Sequence, residues 1–220
     1  ILFILNDYFF VYTTCYQSLV HFFMTIQTAN LRQSLRKQRK GLNQFQQRIF
    51  ERASLQKIYQ YPHFKSAQKI GIYLDAFGEI RTQKLIELCF TLHKSVYLPM
   101  ICNMNQRLVW VKISKQLYRN NRFSKHSLGM LEPMASRGLH VSHLDLLIMP
   151  LLACDRYGTR MGMGGGFYDR TLASSPHKPY RLGLGHNFQY LDQHLKRHVW
   201  DQALDGFICP AKSYFFKRSP

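Results

Sequence analysis

Acidic residues are scarce in this chain: twelve Asp and Glu stand against thirty Lys and Arg in 220 residues, a formal charge of +18. An imbalance of that size points to a polyanionic partner. Nucleic acid, an acidic membrane surface and small polyanions all satisfy it, and so does a plain solvated basic surface. Paired cysteines are missing too. Cys15, Cys89, Cys102, Cys154 and Cys209 are odd in number, and none forms a Cys-x-x-Cys pair or zinc spacing. They read as reduced core residues of a cytosolic protein. His140/His143 and His194/His198 come nearest to a metal spacing, but His194-Leu-Lys-Arg-His198 lacks the Glu of a zincin helix, so all four read as surface or loop histidines.

A clean long hydrophobic run is also absent. The apolar stretch Ile1–Met24 is interrupted by Asn6, Asp7, Gln17 and His21, which makes a poor membrane span. It lacks the basic start and small-residue cleavage site of a signal peptide. Residues 1–27 hold no Lys or Arg, whereas basic residues crowd in from Arg32. The expectation is that residues 1–23 are a non-native or disordered extension, that the natural product begins at Met24, and that residues 24–220 form a single domain. No Pro/Gly/Ser-rich linker and no internal repeat divides the chain, and 46% hydrophobic with 14% aromatic content suits a packed globule.

What is present is a change of period. Leu31 and Leu35, one turn apart, predict a helix that Gly41 ends. Asn43 caps a second helix, with Gln46 as the partner of a capping box. Leu42, Phe45, Ile49 and Ile58 supply an apolar stripe, and Arg36, Lys37, Arg39, Lys40, Arg48 and Arg52 a basic face. Lys69–Leu74 then reads as a buried strand, Asp75–Ile80 as a loop, Thr82 as the cap of a helix through His93, and Ser95–Leu98 as a strand stopped by Pro99. Such a strand–helix–strand unit implies a parallel sheet. Leu108–Ile113 looks like an added hairpin strand, Asp145–Met149 a central strand ending at Pro150, and Arg181–Gly185 and Leu204–Ile208 two more short strands. The whole reads as an α/β three-layer domain.

Chemistry concentrates in Asp155-Arg-Tyr-Gly-Thr-Arg-Met-Gly-Met-Gly-Gly-Gly-Phe-Tyr-Asp-Arg170. Glycines 162, 164, 165 and 166 allow positive φ and bring bare N–H groups close to a ligand. Phe167–Leu172 is helical in character, and a glycine loop leading into a helix N-terminus is a phosphate cradle. Arg160 and Arg170 flank it with positive charge. There is no Gly-Lys-Ser/Thr of a P-loop, and the spacing misses the third glycine of a dinucleotide fingerprint.

Met161-Gly-Met-Gly-Gly-Gly-Phe-Tyr-Asp169, preceded by a strand ending in Pro150 and by Tyr157-Gly-Thr-Arg160, resembles the signature of the 5-formyltetrahydrofolate cyclo-ligase (methenyltetrahydrofolate synthetase) family. The likeness extends from about Leu31 to about Pro210. It includes a basic first helix, Asp75-Ala-Phe-Gly-Glu79-Ile-Arg-Thr82, Val96-Tyr-Leu-Pro99, Glu132-Pro133, Asp145–Pro150 and Trp200-Asp201, in the family's order.

The resemblance implies a three-layer α/β sandwich with a mostly parallel sheet, akin to the ribose-phosphate isomerase and glucosamine-phosphate deaminase group. It implies cyclisation of 5-formyltetrahydrofolate, with or without a polyglutamate tail, to 5,10-methenyltetrahydrofolate, with ATP as co-substrate, Mg2+ as cofactor, and release of ADP and phosphate. A cytoplasmic monomer with no nucleic-acid or membrane partner is expected. By position, Thr28, Arg32 and Arg160, Met161, Gly162, Met163, Gly164, Gly165, Gly166, Phe167 and Tyr168 look like the ATP-binding set. Leu74 and Glu79, with Met163, Gly164, Gly165, Gly166 and Phe167, look like the folate-binding set, and Asp169 and Asp201 like the magnesium carboxylates; no catalytic residue is assigned. Four positions depart from the pattern: Thr28 replaces a Lys or Arg, Met163 and Phe167 replace tyrosines, and Asp75 replaces a small polar residue. The competing classes are a basic nucleic-acid-binding module, with Arg36-Lys-Gln-Arg-Lys40 as its footprint, and a sugar-phosphate isomerase of the same fold.

Overall fold

The computed structural model describes residues 28–217; the boundary expected at residues 23 and 24 lies outside them. A seven-stranded sheet organises these residues. In chain order its strands are β1 (Lys69–Gly71), β2 (Ser95–Cys102), β3 (Arg107–Ile113), β6 (Leu146–Pro150), β9 (Tyr180–Leu184), β11 (Gly206–Ile208) and β12 (Ser213–Phe215), and in space they run β12-β11-β9-β6-β1-β2-β3. The five inner strands are parallel, and β3 and β12 close the edges antiparallel. A two-stranded ribbon joins β4 (Phe123–Lys125) to β5 (Leu131–Pro133). A small sheet, β10-β7-β8, is built from β7 (Ala153–Asp155), β8 (Arg160–Met161) and β10 (Tyr190–Leu191).

Layering follows from the run Leu-Leu-Ile-Met in β6. Successive side chains point to opposite faces of a strand, so a strand covered on both sides must be apolar throughout. Leu146 and Ile148 join a core with helices α2 (Gln44–Gln60), α3 (Pro62–Ser66) and α4 (Gln83–Thr91), through Ile58, Phe64, Leu85 and Ile86. Leu147 and Met149 face the other way, to Trp110, Val141, Phe207 and Leu172 of α6 (Phe167–Leu172). The remaining described helices are α1 (residues 28–40) and the short α5 (Lys115–Arg119). α1 lays Leu35 on Leu152, Ala153 and Met161, with Leu31 beside them, and so docks on the β7–β8 hairpin.

The α/β class, the parallel sheet and the central position of β6 agree with the sequence. The capping box does too: Asn43 Oδ1 accepts from the Gln46 N–H at 2.9 Å, and Gln46 Oε1 from the Asn43 N–H at 3.0 Å. Other expectations need correction. Pro99 does not stop β2, which continues to Cys102. Pro99 opposes Trp110 of β3, yet the Trp110 N–H and carbonyl bond to Leu139 on the far side. The proline's missing N–H faces away from β3, toward the β1 side, so no bond of the β2–β3 ladder is lost. Thr82 makes no side-chain cap for α4; its hydroxyl donates to the Tyr73 carbonyl at 2.8 Å, and α4 ends at Thr91 rather than His93. Asp75 takes the Thr82 N–H at 3.0 Å instead. The strand foreseen over residues 69–74 is shorter, although the Ile72 N–H still reaches the Tyr97 carbonyl.

Chain order reverses between β1 and β6: from β1 the chain builds outward to β2 and β3, then returns to the other side of β1. Loops after such neighbouring strands diverge and leave a crevice at their carboxyl ends, the usual ligand position in open α/β sheets. Here those loops are residues 72–82, after β1, and the β7–β8 hairpin with its glycine loop, after β6.

The close packing beneath them is testable. A Cβ on Gly71 would lie 2.6 Å from Leu144 Cδ1 and 3.0 Å from both Leu147 Cδ1 and Trp110 Cζ3. Gly71→Ala should therefore lower stability by about 1–3 kcal/mol in urea unfolding; an unchanged midpoint would mean that this core yields freely.

Candidate active site

The glycine loop runs from β8 into α6. Gly164 and Gly166 have φ of +106° and +65°, so glycine is required at both. Gly162 and Gly165 do not adopt positive φ, contrary to expectation; at both, a side chain of the loop itself occupies the space a Cβ would take. A Cβ at 162 would meet Arg160 Nη1 at 2.7 Å, and one at 165 the Phe167 ring at 2.6 Å. Around Gly164 a Cβ would meet nothing within 4 Å, so its backbone faces open space. Arg170 braces the loop, donating from Nη2 to the Gly165 carbonyl at 2.6 Å and from Nε to that of Gln106 at 3.2 Å. Arg160 pairs with Asp169 at 2.7 Å.

Helix α1 supplies what the sequence reading missed. Arg36 Nη2 donates to the Met163 carbonyl at 3.0 Å, and Arg39 reaches across to the loop after β1. Arg39 belongs to no solvated basic face: it is 1% exposed. The signal was its place on the apolar stripe, four residues after Leu35 and three before Leu42, where a buried residue is due. The supposed nucleic-acid footprint is thereby divided, with Arg36 and Arg39 turned to the loops while Lys37 and Lys40 stay exposed. Arg32, one turn before Arg36, lies on the same side. The Nε atoms of Arg32, Arg36 and Arg160 are buried without a protein partner. Thr28 stands one turn before Arg32.

In the other wall, Glu79 Oε2 accepts from the Ala76 N–H at 3.0 Å and Oε1 lies 3.5 Å from Arg39 Nη1. Burial pushes the Glu79 carboxyl up to about 7; the Arg39 charge and the Ala76 N–H pull it down, and Asp75 pushes the same way as burial. Leu74, half-buried, packs against the core beneath. His186 Nε2 donates to the Gly78 carbonyl at 2.9 Å, and burial, aided by Arg39, holds its pKa down at about 4, so the ring is neutral.

Asp169 and Asp201 come together indirectly. Asp169 Oδ1 accepts from the N–H of Gln202 at 3.1 Å, next to Asp201, whose Oδ2 accepts from the His198 N–H at 2.7 Å. Asp201 does not pair with Arg197, which instead donates to the Tyr157 carbonyl and Thr159 hydroxyl. Both carboxylates keep unused lone pairs. Among the described residues no cluster of three His, Cys, Asp or Glu is poised for a metal. Asp169 and Asp201 are oxygen donors of the kind magnesium takes, one or two carboxylates with phosphate oxygens and water, and Asp169 is held by Arg160 as well. An open cavity of about 420 Å³ lies at the turn of the β7–β8 hairpin, lined by Arg156, Tyr157, His194, Arg197 and Phe215–Lys217, with no residue of the glycine loop or of residues 72–82 among them.

Fold and site together define an α/β protein with an arginine-flanked glycine loop and a second, carboxylate-bearing wall across a strand-order switch. The chain matches the 5-formyltetrahydrofolate cyclo-ligase family over residues 25–210 and belongs to it. It is 34% identical to the 5-formyltetrahydrofolate cyclo-ligase of Escherichia coli K12 over 182 residues, covering 81% of this chain and 97% of that protein. It is 31% identical to the Haemophilus influenzae protein of the same name, covering 79% and 92%. The fold is that of the Aquifex aeolicus 5,10-methenyltetrahydrofolate synthetase, with a TM-score of 0.74 at 22% identity over 88% of this chain and 94% of that one.

The raised Glu79 pKa carries a linkage. Between the ordinary carboxyl value of 4.5 and about 7, the folded state binds a proton that the unfolded state has released, so stability falls as pH rises through this window. Glu79→Gln removes the effect. Its Tm relative to wild type should rise between pH 5 and pH 8 by an amount equivalent to about 2–3 kcal/mol, read by thermal shift. A difference independent of pH would contradict the buried-carboxyl account.

Proposed function

We propose that the protein closes 5-formyltetrahydrofolate to 5,10-methenyltetrahydrofolate using ATP and magnesium, releasing ADP and phosphate. Membership of the cyclo-ligase family supports the reaction class. The observation that carries the site reading is the bond from Arg36 to the Met163 carbonyl, which brings the arginines of α1 against the glycine loop. With Arg32, Arg36 and Arg160 each holding a buried Nε without a protein partner, the loop suits a polyphosphate. The same reading has the protein act as a cytoplasmic monomer, on folates with or without a polyglutamate tail, and with no nucleic-acid or membrane partner. No helix among the described residues is long and apolar enough to cross a membrane.

A formamide carbonyl is a poor electrophile because its nitrogen lone pair is delocalised into it. Attack of the formyl oxygen on the γ-phosphorus of ATP releases ADP and leaves a carbon bearing a phosphate leaving group. The neighbouring folate nitrogen then bonds to that carbon and loses its proton, and the carbon–oxygen bond breaks as phosphate departs. The protein's work is positioning and charge stabilisation. Arg32, Arg36 and the N–H groups of Gly164–Gly166 hold the phosphates. Arg160, held by Asp169, adds charge beside them, while Leu74 and Glu79 line the folate wall. Asp169 and Asp201 would hold magnesium, which when bound neutralises phosphate charge.

Purified protein with 5-formyltetrahydrofolate, ATP and magnesium should form the methenyl product, followed by its near-ultraviolet absorbance, and no product should form without ATP. Gly164→Val should leave the fold intact but abolish activity and weaken ATP binding at least tenfold, because a β-branched residue resists φ of +106° and its side chain would fill the open space. Normal ATP affinity in the folded variant would refute the cradle.

For the metal, Asp169→Asn should raise the magnesium concentration giving half-maximal rate several-fold, and Asp201→Asn less so. Unchanged titrations in both would return the two residues to structural roles.

A further inference from the structure

Arg39 is the point at which three chain segments meet. Its Nε donates to the Phe77 carbonyl at 2.8 Å and its Nη1 to that of Leu151 at 3.3 Å. The same Nη1 lies 3.5 Å from Glu79 Oε1, and Nη2 lies 3.7 Å from Met163 Sδ. Its backbone is engaged as well: a Cβ on Gly78 would stand 2.5 Å from the Arg39 carbonyl oxygen. Phe77 and Gly78 both have positive φ, +52° and +79°. A phenylalanine stays in that region only where its surroundings hold it there. The bond from Arg39 to the Phe77 carbonyl is such a restraint, and the residue after Gly78 is Glu79.

We propose that Arg39 is a positioning residue that sets the Glu79 loop against the glycine loop, so that the folate and nucleotide walls form as one unit. The inference rests on reading those walls as the two substrate sites. Stability alone is a weak reason for a guanidinium here, since an apolar residue of similar volume often serves a core as well. A lysine keeps the charge but, as a point charge on a flexible stem, cannot reproduce the planar fork that reaches Phe77, Leu151 and Glu79 together. Arg32 and Arg39 are seven residues apart, about 10 Å along the helix. α1 thus has a phosphate-directed group toward one end and a loop-directed group at the other. Phosphoryl transfer is sensitive to the distance between the formyl oxygen and the γ-phosphorus: a misplacement of about 1 Å can cost about a hundredfold in rate. An error in the spacing of the two walls would therefore appear in kcat more than in the affinity for either substrate.

The test is a double-mutant cycle read with hydrogen exchange. Arg39→Met should lower kcat at least tenfold while ATP binding changes less than threefold, and Arg39→Lys should recover only a small part. In a Glu79→Gln background the same change should cost at least fivefold less than in wild type, because Arg39 acts partly through Glu79. Equal losses in both backgrounds, or a kcat within twofold of wild type, would overturn the proposal. Hydrogen exchange needs no turnover: Arg39→Met should accelerate exchange about tenfold or more in residues 75–80 and 161–167 together, leaving β1, β6 and β9 unchanged. Acceleration in neither loop, or in one alone, also overturns it. Should Arg39→Met fail to fold, Arg39→Lys gives the same readouts. A wild type without cyclo-ligase activity counts against the proposed function, and the exchange result still decides the role of Arg39.

Discussion

A buried guanidinium cannot shed its charge and must find acceptors for a rigid set of donors. Arg39 finds them on the loop after β1, on the turn after β6 and beside the tip of the glycine loop. Those segments come from strands that are neighbours in the sheet but are separated by more than seventy residues of chain. The sheet brings their ends close; it does not fix their loops. α1 does that. Leu31 and Leu35 seat it on the β7–β8 hairpin, and Arg39, one turn further along the same stripe, carries the contact across the crevice.

The position of α1 also gives the chain's charge a local meaning. Thirty basic residues against twelve acidic ones could make a featureless positive surface. Instead, Arg36, Arg160 and Arg170 lie at or beside one loop, and two of them are tied to its carbonyls. Other cations, such as Arg48 and Arg52 on α2, remain solvated. An anion entering the loop would meet open space at Gly164 and guanidinium groups already tied to the loop carbonyls. Little reorganisation is then needed on binding, which is where electrostatic stabilisation is most effective.

Local chemistry was legible in the sequence, and distant partnership was not. Asn43 and Gln46 declare a capping box by their spacing alone, and Leu146–Pro150 declares a doubly covered strand by being apolar throughout. The glycine string reads correctly as a loop before a helix. Pro99 misled because its effect depends on which neighbouring strand its missing N–H faces, a fact of register. Thr82 misled because Tyr73, nine residues earlier, offered its hydroxyl a carbonyl in place of a cap. Arg39 was misassigned because charge was weighed above periodicity. Its stripe position foretold burial, but its partners, 38 to 124 residues away, could come only from the fold.

The central claim is that α1 and the glycine loop jointly hold a nucleotide's phosphates while the Glu79 loop lines the second substrate. A crystal structure with 5-formyltetrahydrofolate and a non-hydrolysable ATP analogue tests it most directly. The account predicts the triphosphate on the N–H groups of Gly164–Gly166, with Arg32 and Arg36 on its oxygens and the folate against Leu74 and Glu79. A nucleotide bound elsewhere, such as in the cavity lined by Arg156 and Arg197, would contradict it.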